Sequence, residues 1–159
     1  MNWSEYCKQA NKTWNPDNSD PLRYIRNKLV EEFAEILGEA TKLEFHGKKP
    51  EYLFEFGDVM WYLAALNNEE INGYNLDPKL NPLECSDKAH PEESLDAIND
   101  LYRWNLKEPE CEIPQYLMNY ITGMIKYRGF TLTQVWEANI AKVRARHGES
   151  YNLEHYKGV

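Results

Sequence analysis

Acidic residues recur at helical spacing in two neighbouring segments of the 159-residue chain. In the stretch "VEEFAEILGEA", residues three or four apart share one helix face, which carries Glu32, Glu35 and Glu39 and borders the apolar residues of that helix. A second stretch, "YLFEFGDVMWYLAAL", places Glu55 and Asp58 on one face among few other polar residues. Because an unpaired carboxylate is costly in apolar surroundings, these acids indicate a partner.

A divalent cation is the partner that the acids favour. The connection between the two segments is short, so antiparallel packing would bring Glu32 and Glu35 opposite Glu55 and Asp58. Converging carboxylates raise one another's pKa values unless a cation neutralises them. Oxygen ligands suit Mg²⁺ or Mn²⁺, and Mg²⁺ usually keeps waters for substrate phosphates. The alternatives are a solvated helix face and a di-iron bundle. The di-iron bundle needs Glu-x-x-His pairs, and the four histidines do not form them with these acids.

A third group of residues lies near the end of the chain, in "NIAKVRARHG". Asn139, Lys142 and Arg146 recur at helical spacing and present an amide, an ammonium and a guanidinium along one side. This set suits phosphate oxygens, with the arginine in bidentate contact. A basic last turn also complements the helix dipole, which is the structural alternative. Beside an acidic metal cluster, the set would complete a site for a metal–polyphosphate.

The elements that must position these residues are helices. Turn and cap residues divide the chain into six predicted helices at about 2–13, 21–46, 50–70, 91–106, 113–127 and 131–147. Residues 71–91 are interpreted as a long loop, and 148–159 as a tail. No strand pattern of period two persists, so the predicted fold class is an all-α bundle, formed as a single domain over 1–159.

Charge and composition exclude several classes of partner. The net charge of −8 argues against a nucleic-acid backbone or an anionic membrane as the main partner. Cys7, Cys85 and Cys111 lack C-x-x-C spacing and are interpreted as reduced thiols. The chain lacks the layout of a signal peptide, and no apolar run approaches about 18 residues. The expectation is a soluble cytoplasmic protein.

The acidic motifs resemble a known signature. E-E-x-x-E (Glu31, Glu32, Glu35) followed by E-x-x-D (Glu55, Asp58) resembles the pattern of the MazG-like all-α nucleoside triphosphate pyrophosphohydrolases. The stretch "VWEANIAKVRARHG" is similar to the Asn-x-x-Lys-x-x-x-Arg closing helix of that family, and "YCKQANKTW" looks like the N-terminal segment of its short, phage-type members. A phage-encoded member would work in the host cytoplasm.

The resemblance implies an activity and assigns roles. Family members bind two or more Mg²⁺ ions and cleave between the α- and β-phosphates of a nucleoside triphosphate, releasing a monophosphate and pyrophosphate. The implied metal ligands are Glu32, Glu35, Glu55 and Asp58. Glu31 and Glu32 are the implied catalytic acids, with Glu31 orienting or deprotonating the attacking water. The implied substrate-binding residues, for phosphates and sugar, are Asn139, Lys142 and Arg146.

The resemblance covers about 3–66 and 113–148, so that about 67–112 form an extra loop–helix segment without a counterpart. Family members assemble as homodimers or homotetramers. Candidate residues for stacking on the base are Trp14, Trp61 and Tyr62. On the extra helix, three residues could cap the site or contact another subunit: Tyr102, Arg103 and Trp104.

Two further functions stay open at this point. The related phosphoribosyl-ATP pyrophosphohydrolases share the helical core, although they are usually shorter and lack the phage-like N-terminal segment. A catalytically silent helical module that binds nucleotide or a protein partner would keep the same fold, and a purely structural bundle would need none of the acids.

Overall fold

The computed structural model describes residues 1–71, 73–79, 91–148 and 150, and these residues form helices and connections without a strand. The helices are α1 Trp3–Asn11, α2 Pro21–His46, α3 Tyr52–Leu66, α4 Pro91–Arg103, α5 Ile113–Tyr127 and α6 Leu132–His147. The predicted all-α class is confirmed. No helix within the described ranges is long and apolar enough to cross a membrane.

Capping residues set several of the helix ends. At the start of α1, the Asn2 side chain accepts from the Glu5 N–H and the Glu5 side chain accepts from the Asn2 N–H. Thr131 and Gln134 form the same reciprocal pair at the start of α6. Gly47 ends α2 with a φ of 60°, a left-handed conformation that glycine adopts without steric cost. These three ends lie within one residue of the predicted helix bounds at 2, 46 and 131.

The third helix is shorter than predicted. The sequence predicted 50–70, and the structure shows Tyr52–Leu66. Asn67 stops the helix, because its side-chain oxygen accepts from the Leu76 N–H at 3.1 Å as the chain turns back over the helix end. Asn68 accepts from the N–H two residues further on, at 3.0 Å. Asparagine side chains compete with the helix for backbone groups in this way, and the apolar pattern alone does not reveal it.

The fourth helix is also shorter than predicted. The fourth helix ends at Arg103, earlier than the predicted 106, and the Asn105 side chain accepts from the Lys107 N–H just beyond it.

Most of the predicted loop 71–91 and of the tail 148–159 lies outside the described residues. Cys85 lies outside them as well, whereas Cys7 and Cys111 are free cysteines.

The third helix lies in the middle of the bundle. It contacts α1, α2, α5 and α6, while α4 packs against α2 and α5. Its apolar pattern predicts this position, because a helix that is apolar almost all round must be covered on every side. The largest fully buried side chains come from α1 to α5 and include Tyr6, Phe33, Phe56, Met60, Leu63, Leu101, Leu117 and Ile121.

A glycine allows α3 and α6 to approach closely. A Cβ added at Gly57 would lie 2.9 Å from the Cβ of Asn139 and 3.2 Å from its amide nitrogen. Because Asp58 follows this glycine, the close approach brings the acids of α3 beside the polar residues of α6.

Gly57→Ala is expected to lower the free energy of unfolding by about 1–3 kcal/mol, the usual cost of overpacking a core. Gly38→Ala in α2 is the matched control, since a Cβ there meets no atom within 4 Å. That control should stabilise the protein by about 0.5–1 kcal/mol, because alanine is the better helix former. Urea unfolding of both variants checks the prediction, and equal stabilisation by the two would contradict it.

Candidate metal centre

The four acids of the two motifs converge between α2 and α3. One carboxylate oxygen from each of Glu32, Glu35, Glu55 and Asp58 lies within 4.8 Å of the others. Glu32 and Asp58 repel each other electrostatically, and so do Glu35 and Glu55, which is the pairing expected of antiparallel helices. The predicted metal-ligand set is therefore brought together.

The acids are held where their charges are poorly compensated. Burial, reinforced by Asp58 and Glu35, raises the pKa of Glu32 to about 8. Burial, a hydrogen bond with the Glu35 side chain and the charge of Glu35 raise the pKa of Glu55 to about 8 as well. In both residues the Oε2 atom is buried and has no hydrogen-bond partner among the described residues.

The two Oε2 atoms without a partner among the described residues are suitable ligands for a hard cation. A divalent ion would supply the coordination that these two oxygens lack among the described residues, and oxygen-only ligands match Mg²⁺ or Mn²⁺. The set could hold a metal ion on these grounds.

Two nearby acids of α2 do not join this group. Glu31, predicted as a catalytic acid, is exposed and its Oε2 lies 3.3 Å from Lys28 Nζ. Glu39 is buried and accepts from Lys42 Nζ at 2.8 Å and from the Glu51 N–H at 2.9 Å. Glu39 therefore holds the backbone just before α3, which explains its place in the acidic stripe without a metal.

Lys142 of α6 joins the acidic group directly. Its Nζ donates to Oδ1 and Oδ2 of Asp58 at 2.8 and 2.9 Å. Burial raises the pKa of Asp58, and Lys142 and the more distant Arg146 oppose that effect. The residue predicted to bind phosphate thus binds one of the predicted metal ligands in the structure.

A cavity of about 360 Å³ joins the acidic and basic groups. Its lining includes two of the four acids and all three predicted substrate-binding residues of α6: Glu32, Asp58, Asn139, Lys142 and Arg146. This volume lies within the range of about 300–1,000 Å³ that is typical of small-molecule sites. The arrangement can hold an anionic ligand against cationic side chains at the edge of the acidic cluster.

Aromatic side chains form another part of the same lining. Trp61 and Tyr62 border the cavity with ring centroids 5.0 Å apart, in an edge-on arrangement. Trp14, the third predicted stacking residue, is buried against Trp61 with centroids 5.7 Å apart and does not border the cavity. Flat apolar rings beside charged groups suit a ligand that has both an aromatic and an anionic part.

Four lining residues were missed by the sequence prediction: Tyr24, Lys28, Val143 and His147. Tyr24 and Lys28 precede Glu32 by eight and four positions on α2, so the three share one helix face and all border the cavity. That spacing was a usable signal. Tyr102, Arg103 and Trp104, which were expected to cap the site or contact another subunit, do not border this cavity. Trp104 is buried against Tyr74, and Tyr102 is 86% exposed outside the lining.

Scans against protein-family models and searches of the curated proteins and of the solved structures gave no match to this chain. The resemblance to the MazG-like pyrophosphohydrolases is carried by the motif residues themselves.

Proposed function

We propose that this chain is a MazG-like, Mg²⁺-dependent pyrophosphohydrolase. It would hydrolyse ribo- or deoxynucleoside triphosphates between the α- and β-phosphates, and so clean or shape the nucleotide pool. The observation that carries the proposal is the shared cavity, in which acids of the four-carboxylate group, cations of α6 and aromatic rings meet. Those three parts match the metal–polyphosphate and the base of a nucleotide.

Each group of residues would contribute one part of the catalytic site. Glu32, Glu35, Glu55 and Asp58 would hold the cations. A bound Mg²⁺ would lower the pKa of a water molecule and neutralise charge on the leaving pyrophosphate.

Glu32 borders the cavity and has an oxygen without a hydrogen-bond partner among the described residues, so of the two predicted catalytic acids it is the better placed to act on the substrate. Glu31 would have to leave Lys28 to take part.

The cations of α6 would bind the phosphates. Lys142 is partly exposed, and its ammonium can turn from Asp58 to a phosphate oxygen in the same cavity. Arg146 is one further turn along the helix and borders the same space. The guanidinium would take two phosphate oxygens at once, whereas the ammonium would act as a point charge.

The proposal includes a homo-oligomer, either a dimer or a tetramer. Phe45 near the end of α2 and Phe54 near the start of α3 are 71% and 46% exposed in the single chain. Large exposed apolar side chains at one end of a bundle are expected where subunits meet. Light scattering of the purified protein would measure the assembly size.

The test is a substrate panel. The protein is incubated with Mg²⁺ and ribo- and deoxynucleoside di- and triphosphates, and the products are separated by ion-exchange chromatography. We expect a monophosphate and pyrophosphate from a triphosphate, lost in Glu35→Gln and kept in the control Glu44→Gln, which alters an exposed acid of the same helix. Phosphate release would contradict the bond assignment. Tight nucleotide binding without turnover would favour the silent binding module.

A further inference from the structure

Tyr6 of α1 is a buried residue whose hydroxyl reaches the cavity wall. The hydroxyl donates to Oδ1 of Asn139 at 2.6 Å, across 133 positions of sequence. Tyr6 is fully buried, and Asn139 is 1% exposed. A short hydrogen bond in a buried place fixes the rotation of the amide, because a flip would take away the oxygen that accepts from the buried Tyr6 O–H.

Packing fixes the position of the Tyr6 ring. The ring centroid lies 5.8 Å from that of Trp3 and 5.7 Å from that of Trp136, with interplanar angles of 29° and 16°. Burial raises the pKa of Tyr6 well above its usual value, so the hydroxyl stays protonated and able to donate. The donor is therefore held in place without help from Asn139.

The amide nitrogen of Asn139 is left for another partner. This atom is buried and has no hydrogen-bond acceptor among the described residues. Its residue borders the cavity and begins the row that continues with Lys142 and Arg146. A buried donor without an acceptor costs free energy. An oxygen atom of a ligand in the cavity would remove that cost by accepting from this nitrogen.

We propose that Tyr6 is a positioning residue that orients Asn139, so that its amide nitrogen donates to an acceptor oxygen of the bound nucleotide. The inference rests on the proposed function. The acceptor is a phosphate oxygen or a sugar hydroxyl oxygen, and both offer the same lone-pair chemistry. Tyr6 itself does not touch the nucleotide in this account.

A double-mutant cycle on nucleotide binding tests the proposal. The probe is an α,β-methylene deoxynucleoside triphosphate with Mg²⁺, which binds without being cleaved. Tyr6→Phe keeps the ring and removes the hydroxyl, and Asn139→Ala removes the amide. We expect each single variant to weaken binding by about fivefold to tenfold, and the double variant to be no weaker than Asn139→Ala.

Two further variants separate positioning from packing. Asn139→Asp can still accept from Tyr6 but has no amide donor, so it should bind at least as weakly as Asn139→Ala. Tyr120→Phe is the matched control, because the Tyr120 hydroxyl donates to Asp100 at 3.0 Å, away from the cavity lining. It should bind the probe like the wild type. Melting temperatures establish that each variant is folded.

The outcomes are distinct. Additive losses in the double variant, or wild-type affinity in Asn139→Asp, would overturn the positioning role while leaving the proposed function in place. Failure of the wild type to bind or cleave any nucleoside triphosphate would overturn the proposed function and this inference with it. Repeating the cycle with inorganic tripolyphosphate identifies the acceptor, because coupling persists for a phosphate oxygen and vanishes for a sugar oxygen.

Discussion

Glu55→Gln is expected to reduce the turnover of a nucleoside triphosphate by about 10³-fold, because it removes a cation ligand. Loss of several kcal/mol of transition-state stabilisation corresponds to this factor, since each 1.36 kcal/mol changes a rate by about tenfold. Glutamine keeps the shape of the side chain, so the bundle should remain intact. Steady-state kinetics with saturating Mg²⁺ measures the loss.

In the absence of Mg²⁺, the same substitution should raise the stability of the folded protein. Glu55 lies beside three other carboxylates, and its ionisation is opposed by burial and by Glu35. Removing the charge should stabilise the metal-free protein at alkaline pH by up to about 1 kcal/mol, a value kept small because solvent screens partly exposed groups.

The control is Glu44→Gln, on an exposed position of α2, which should change neither quantity. Wild-type turnover in Glu55→Gln would contradict the account. The melting temperature of the variant should also respond less to Mg²⁺ than that of the wild type.

The second large effect is a pH dependence of stability that Mg²⁺ opposes. Glu32 and Glu55 have pKa values raised from 4.5 to about 8 in the folded protein. Between those values the folded state binds more protons than the unfolded state. The free energy of unfolding should therefore fall as the pH rises from about 4.5 through about 8 in the absence of metal.

Mg²⁺ should counteract this fall. Cations compete with protons for the same carboxylates, so Mg²⁺ binds more tightly as the pH rises. At a concentration of about 100 Kd, a ligand that binds only the folded state stabilises it by about 2.7 kcal/mol. We expect a small Mg²⁺ effect near the lower pH and the full effect near the upper one.

Urea unfolding at several pH values, with Mg²⁺ or with EDTA at matched ionic strength, measures both slopes. The double variant Glu32→Gln/Glu55→Gln is the control, because it lacks the two titrating groups and should lose most of the pH slope. An equal Mg²⁺ effect at low and high pH would show that the cation does not compete with these protons.

Local spacing was enough to predict much of the candidate site. Residues three or four apart on a helix share a face whatever the rest of the fold does, so the acids of α2 and α3 and the row on α6 were identifiable. A short connection then requires consecutive helices to pack against each other. The helix ends at Asn2, Gly47 and Thr131 follow from local hydrogen bonds and backbone conformation, which a short stretch of sequence also carries.

Other features depend on contacts that spacing cannot reveal. Adjacent residues point about 100° apart on a helix, and the exact rotation of α2 decides that Glu32 faces the cavity while Glu31 faces solvent and Lys28. Glu39 has the spacing of a metal ligand, but its carboxylate accepts a hydrogen bond from the Glu51 N–H. Tyr6 and Asn139 meet only because α1 packs against α6.

The central claim is that the four clustered carboxylates bind Mg²⁺ for hydrolysis between the α- and β-phosphates. Phosphorus NMR of the reaction with the best triphosphate of the panel tests it most directly, since pyrophosphate, orthophosphate and monophosphate give separate signals. The account predicts that pyrophosphate and a nucleoside monophosphate appear together, that both need Mg²⁺, and that Glu35→Gln produces neither. Orthophosphate with a nucleoside diphosphate, or equal product in the Glu35→Gln variant, would contradict it.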